Sequence, residues 1–152
     1  MKLSEYIKDT GIDLDLSGNS KSEILVNLVQ LLSQTASISD CDAIVQTLEE
    51  RENLKTTGIG SGVALPHCKS TQVDKIHIVV GLSREGKDFQ ALDNEPANFF
   101  FLLVAPETAG SEHLKASAKI VRLVRDENVR REILELKTSE DIVKYIMTKE
   151  DS

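Results

Sequence analysis

Phe99 to Ala105, FFFLLVA, is apolar at every position and shows no alternation that would mark a solvent face. Such a segment reads as a strand buried on both sides, and turn-forming Asp93-Asn94 and Pro96 precede it. A strand of this kind needs a covering layer above and below. The chain supplies helices for both. Ser20 and Glu23 form a capping box ahead of Ile24, Leu25, Leu28, Leu31 and Leu32, which recur at helical spacing to about Thr35. Asp40 caps a second helix through Ala43, Ile44, Val45 and Leu48 that should end near Leu54 and deliver Arg51 close to the glycine run that follows. Beyond the buried strand, helices are expected from about Ser111 to Arg125, with Leu114, Ala118, Val121 and Val124, from Asn128 to Leu136, and from Ser139 to Met147 with Thr138 or Ser139 as cap.

Three further strands are expected. After a helical turn at Leu3, Tyr6 and Ile7, the residues Ile12, Leu14 and Leu16 alternate with Asp13 and Asp15. Val63 to Leu65 is a short apolar strand stopped by Pro66, and Lys75 to Ser83 carries Ile76, Ile78, Val80 and Leu82 on one face with His77 on the other. The architecture implied is α/β, one domain over residues 1–152, with a mixed sheet sandwiched between helices. The βαβ alternation of a doubly wound dinucleotide fold is missing.

The 152 residues suffice for one real core, and 18 Lys plus Arg against 25 Asp plus Glu leave a formal charge of −7. That balance disfavours a nucleic-acid or anionic-membrane binder, so any phosphate chemistry must rest on local groups. No apolar run reaches the length of a membrane span, and acidic residues interrupt the N-terminal MKLSEYIKDT, so the expected location is cytoplasmic. Cys41 and Cys68 are too few for a disulfide framework or a structural zinc site and read as free thiols.

The chemistry is expected between Arg51 and Lys69. Gly58, Gly60 and Gly62 alternate with Ile59 and Ser61, a spacing that lets backbone come close to an anion, yet no Gly-Lys-Ser/Thr closes the run and GxGxxG is not matched. The run leads through Val63, Ala64, Leu65 and Pro66 to His67. A neutral imidazole is a good phosphoryl acceptor near neutral pH, because its free nitrogen is nucleophilic and the N–P bond stays reactive enough to pass the group on. On residue type alone His67 reads more readily as a satisfied loop histidine, since most histidines do no chemistry. His113 shares a helix face with Ala116 and Ile120 and should point inward, as a buried hydrogen-bonded histidine would. Arg51 and Glu52 read equally as an exposed charged pair. His77 reads as structural or solvent-facing. A Cys68–His67 nucleophile pair or metal site is disfavoured, since adjacent residues rarely aim at one centre and no third ligand or orienting acid is evident.

The segment from Thr56 to His67, TTGIGSGVALPH, resembles the phosphorylation signature of the enzyme IIA domains of the fructose/mannitol class in the phosphoenolpyruvate-dependent phosphotransferase system. Leu48 to Glu52 is similar to that family's Arg-Glu segment, and Glu112-His113-Leu114-Lys115 to its second histidine motif; the resemblance runs from Leu14 to Ile146. It implies the enzyme IIA fold and a phosphocarrier in which His67 accepts a phosphoryl group on Nε2 from a phosphohistidine of HPr or a paralogue. His113 would then steady the phosphoryl group or the ring, Arg51 would neutralise its charge, and Thr57, Gly58, Gly60, Ser61 and Gly62 would bind the phosphate. The recipient would be a IIB component or a regulatory target protein, with no metal and no cofactor.

The stretches Gly81–Phe89 and Phe101–Glu107 look most like the stand-alone nitrogen-regulatory IIA proteins, with a sugar-specific IIA subunit of a fructose or mannitol permease as the alternative. Two departures stand out: Cys68 replaces the small residue expected after the histidine, and Ala116-Ser117-Ala118 is more polar than usual. Other classes make separate demands. A pure interaction module would signal without phosphorylation, and a metal or thiol hydrolase would need bound metal or a reactive Cys68.

Overall fold

A computed structural model describes residues 2–150. A 3-10 turn (Leu3–Glu5) leads into β1 (Ile7–Asp13), followed by α1 (Lys21–Leu32) and α2 (Cys41–Leu54). Five strands come next: β2 (Gly58–Gly60), β3 (Val63–Ala64), β4 (His67–Ser70), β5 (His77–Lys87) and β6 (Ala97–Pro106). The chain closes with α3 (Glu112–Val124), α4 (Glu127–Glu135) and α5 (Ser139–Glu150). The strands form one mixed sheet in the order β1-β5-β6-β3-β2, with β4 also beside β6. β6 is antiparallel to β5 and parallel to β3 and β4, so the broken strand β3/β4 runs along one flank of the central strand.

The central strand is the one the apolar run marks. Phe99, Phe101, Leu103 and Ala105 join a core with Ala116 and Ile120 of α3, Ile133 of α4, and Ile142 and Ile146 of α5. Phe100, Leu102 and Val104 pack on the other side with Leu25 and Leu28 of α1 and Ile44 and Leu48 of α2. Each of the Phe, Leu, Ile and Val side chains among these stabilises the fold by about 1.5–3 kcal/mol through burial, so both helical layers are held by one strand.

The caps behave as their chemistry requires. The Ser20 hydroxyl accepts from the Glu23 amide at 3.1 Å and Asp40 Oδ1 from the Ala43 amide at 3.1 Å. The first turn of α5 is capped by Thr138, whose Oγ1 accepts from the Asp141 amide at 3.1 Å.

Several boundaries differ from expectation. β1 starts at Ile7, with Leu14 and Leu16 beyond its end, because its register against β5 slips between Ile7 and Ile12. Lys8, Asp9 and Thr10 are therefore all exposed, and no alternation marks the strand. The glycine run is itself a strand, and the chain resumes pairing after Pro66, giving five strands where three are expected between the helical segments. On α3 the buried stripe is Ala116, Ile120 and Val124, while Leu114 and Val121 are exposed. The small Ala116 lets the helix approach the sheet, and His113 lies one turn before it on the same face.

Candidate active site: a histidine at the start of a strand

His67 opens β4 and pairs in register with Leu103 of β6. Register partners share a sheet face, and Leu103 belongs to the core beneath α3, so the half-buried His67 ring lies on the α3 side. Its Nδ1 sits 2.8 Å from the Leu65 carbonyl oxygen. A carbonyl only accepts, so the ring proton is on Nδ1 and Nε2 keeps its lone pair. The Leu65 carbonyl belongs to the amide of Pro66, and the Pro66 carbonyl in turn accepts from the Leu103 amide at 3.0 Å. The rigid proline step thus fixes both the strand start and the imidazole.

His113 occupies the first turn of α3, half-buried, on the face turned toward the same core. Its Nδ1 is buried and has no hydrogen-bond partner among the described residues. The fold therefore brings His67 and His113 to one side of the sheet. Arg51 comes from the other layer, in the last turn of α2, where its Nη1 donates to the Lys55 carbonyl at 3.0 Å.

The glycine run is a hairpin. β2 and β3 pair antiparallel, with Gly60 opposite Val63 and a two-residue turn at Ser61-Gly62, both at positive φ (57° and 79°). A Cβ at Gly62 would meet Asn98 Oδ1 at 2.8 Å, and one at Gly58 would meet the Ala91 Cα at 2.8 Å. These two glycines are explained by backbone conformation and packing. Three amides of the run already have partners within the protein. Thr57 donates to the Glu52 carboxylate, Gly58 to Thr56 Oγ1 at 3.1 Å, and Ser61 to Asp93 Oδ2 at 3.0 Å.

Glu52 is the residue that sequence reasoning missed. It is 7% exposed and pairs with Lys21 Nζ at 3.0 Å, so it is no member of an exposed charged pair. The available signal was its position: an acidic residue in the last turn of a helix opposes the helix dipole and so asks for a cation from elsewhere. Cys68 faces the opposite layer from His67, packed beside the core of α1 and α2. Burial, with a smaller contribution from Glu107, pushes its thiol up to about 12, which keeps it protonated and unreactive at neutral pH. His77 is buried, and burial first, then Lys75 and Lys8, hold its pKa below the ordinary imidazole value, with Asp74 opposing. Among the described residues no group of three or more His, Cys, Asp or Glu is arranged to hold a metal, and no helix is long and apolar enough to cross a membrane.

A histidine thus follows Val-Ala-Leu-Pro at the start of β4, and a second histidine on α3 lies on the same side of the sheet. The family model for the phosphoenolpyruvate-dependent sugar phosphotransferase system, EIIA 2, matches residues 5–149. The chain belongs to the type-2 EIIA family. Among its relatives in that family, a nitrogen regulatory protein of Bradyrhizobium diazoefficiens is 35% identical over 133 residues, covering 88% of this chain and 86% of that protein. The fructose-specific EIIABC component of Bacillus subtilis is 32% identical over 146 residues; the match takes in 96% of this chain but only 23% of that protein's length. The crystal structure of the nitrogen regulatory protein IIA-Ntr from Neisseria meningitidis shares the EIIA fold with a TM-score of 0.87 at 28% identity, covering 95% of this chain and 98% of that one.

Proposed function

We propose that this type-2 EIIA is a phosphocarrier whose His67 takes a phosphoryl group on Nε2 from the phosphohistidine of an HPr-like protein. The observation that carries the reading is the 2.8 Å contact between His67 Nδ1 and the Leu65 carbonyl, which leaves Nε2 bare. In the step, the Nε2 lone pair attacks phosphorus, the donor's N–P bond breaks, and the departing donor imidazole regains its lone pair. Donor and acceptor are both imidazoles, so the exchange is nearly thermoneutral and catalysis consists of positioning and charge stabilisation.

The rest of the site supports that division of labour. A buried imidazole N–H without a partner is costly, so the unbonded Nδ1 of His113 favours the tautomer with its proton on Nε2, available to a phosphoryl oxygen. Arg51 is fixed at the end of α2 by the Lys55 carbonyl, with four more guanidinium N–H donors to offer phosphate. Because the Thr57, Gly58 and Ser61 amides are already donated and Gly60 is the ladder partner of Val63, the phosphate role of Thr57, Gly58, Gly60, Ser61 and Gly62 narrows, for backbone donors, to the amide of Gly62.

The recipient is a IIB component or a target protein that reads the phosphorylation state of His67. Likeness to nitrogen regulatory proteins across most of both chains supports the regulatory branch. A sugar-specific subunit is the second reading, supported by the fructose-specific relative. Incubation with phosphoenolpyruvate, enzyme I and HPr, followed by intact mass measurement under alkaline conditions, tests the carrier step. One added phosphoryl group, absent from His67→Ala, is expected. No mass gain on folded protein with any phosphocarrier donor would leave an interaction module as the better account.

A further inference from the structure

We infer that Glu52 is a positioning residue for His67, acting over three successive hydrogen bonds through the backbone of Thr57 and Leu65; the inference rests on His67 being the phosphoryl acceptor. Both carboxylate oxygens of Glu52 lie 3.0 Å from the Thr57 amide nitrogen. The Thr57 carbonyl accepts from the Leu65 amide at 2.9 Å, and the Leu65 carbonyl faces His67 Nδ1 at 2.8 Å. The far end is anchored as well. Lys21 Nζ, from the first residue of α1, is 3.0 Å from Glu52 Oε1 and donates to Thr56 Oγ1 at 3.0 Å. That hydroxyl accepts the Gly58 amide, so the residues on both sides of Thr57 are clamped.

The coupling is geometric and not electronic. The N–H and C=O of Thr57 belong to different peptide groups, as do those of Leu65, so charge on Glu52 does not conjugate through to the ring. What passes along is position. Glu52 fixes the entry to β2, the β2–β3 ladder fixes Leu65, and the Leu65 carbonyl selects both the tautomer and the orientation of His67. Thr57 is 3% exposed, so no solvent replaces the carboxylate if it is lost. Moving a reacting nitrogen by about 1 Å costs roughly a hundredfold in rate, which makes a remote anchor matter to chemistry. Glu52 touches no reacting atom, so its removal should lower turnover at saturating carrier without changing KM for the carrier.

The test compares wild type with Glu52→Gln, which keeps the shape and removes the charge. Nitrogen-15 NMR of the unphosphorylated His67 ring should give Nδ1 protonated and Nε2 bare in wild type, and mixed tautomers in the variant. Phosphoryl transfer from phosphorylated HPr should fall roughly tenfold to a hundredfold with KM unchanged. Folded Glu52→Gln protein with the wild-type tautomer and turnover would overturn the inference. Should the variant not fold, hydrogen exchange on wild type decides: the Thr57 and Leu65 amides should be as protected as those of β5 and β6, and loop-like exchange would overturn it. A wild-type protein that accepts no phosphoryl group sinks the acceptor reading instead, while the ring and exchange measurements still judge the Glu52 anchor.

Discussion

His67 and His77 flank adjacent residues of the same strand and have opposite fates. His67 pairs with Leu103 of β6, and His77 pairs with Val104 from the other flank. The step of one residue turns them to opposite faces of the sheet. His77 lies over the α1 and α2 side, in a groove of about 450 Å³ lined among others by Lys8, Thr35, Ser37, Thr71 and Lys75. There burial and two lysines suppress its charge, and no hydrogen bond among the described residues commits either ring nitrogen. His67 is half-buried, one nitrogen committed to a carbonyl and the other without a partner among the described residues. On the proposed reading, keeping an imidazole neutral does not suffice for a phosphoryl acceptor; one nitrogen must also be committed so that the other keeps its lone pair.

The contrast makes measurable demands. The largest effect belongs to the two histidines themselves: His67→Ala should abolish the phosphoryl mass increment, while His77→Ala should retain it, and the reverse would invert the assignment. Next come His113→Ala and Arg51→Ala, each expected to slow transfer roughly tenfold to a thousandfold as a stabiliser of the transferring charge is removed, read by rapid-quench kinetics with phosphorylated HPr.

A smaller effect concerns acid stability. The folded protein holds His77 below the ordinary imidazole value of 6.5, so the unfolded chain binds the extra proton first. The stability His77 permits is fully present above that pH and is lost as pH falls from there through the folded value. Urea midpoints at descending pH should therefore drop less steeply below pH 6.5 in His77→Gln than in wild type. The smallest effect belongs to Cys68. With its thiol at about 12, peptide mapping should find iodoacetamide labelling at pH 8 slow in native protein and fast after denaturation, and Cys68→Ser should leave transfer unchanged.

What could be read from sequence followed from local signals. The all-apolar Phe99–Ala105 announces a strand covered on both sides, and Ser20, Asp40 and Thr138 announce helix starts, because caps and burial patterns act within a few residues. His67 and His113 were legible as motifs, and the side of α3 on which His113 lies followed from its spacing to Ala116 and Ile120. The rest depends on partners far along the chain. β2 is three residues of Gly-Ile-Gly and β4 is His-Cys-Lys-Ser, neither with strand composition, and both exist because β6 and the hairpin give them hydrogen-bond partners. The order of strands is equally non-local. Glu52 was misread for the same reason, since its cation stands 31 residues earlier, at Lys21.

One contact at the edge of the molecule bears on how this unit joins to others. The Glu150 carboxylate at the end of α5 accepts from the amides of Leu3 and Ser4, so the beginning and the end of the described chain meet at one corner. Whatever is attached at either end departs from the same pivot. A fused neighbour would therefore swing about the same point, with much the same reach toward His67, whether it preceded or followed this unit. Sealing the two ends with a short linker and opening the chain between β6 and α3 should give a circular permutant that still folds.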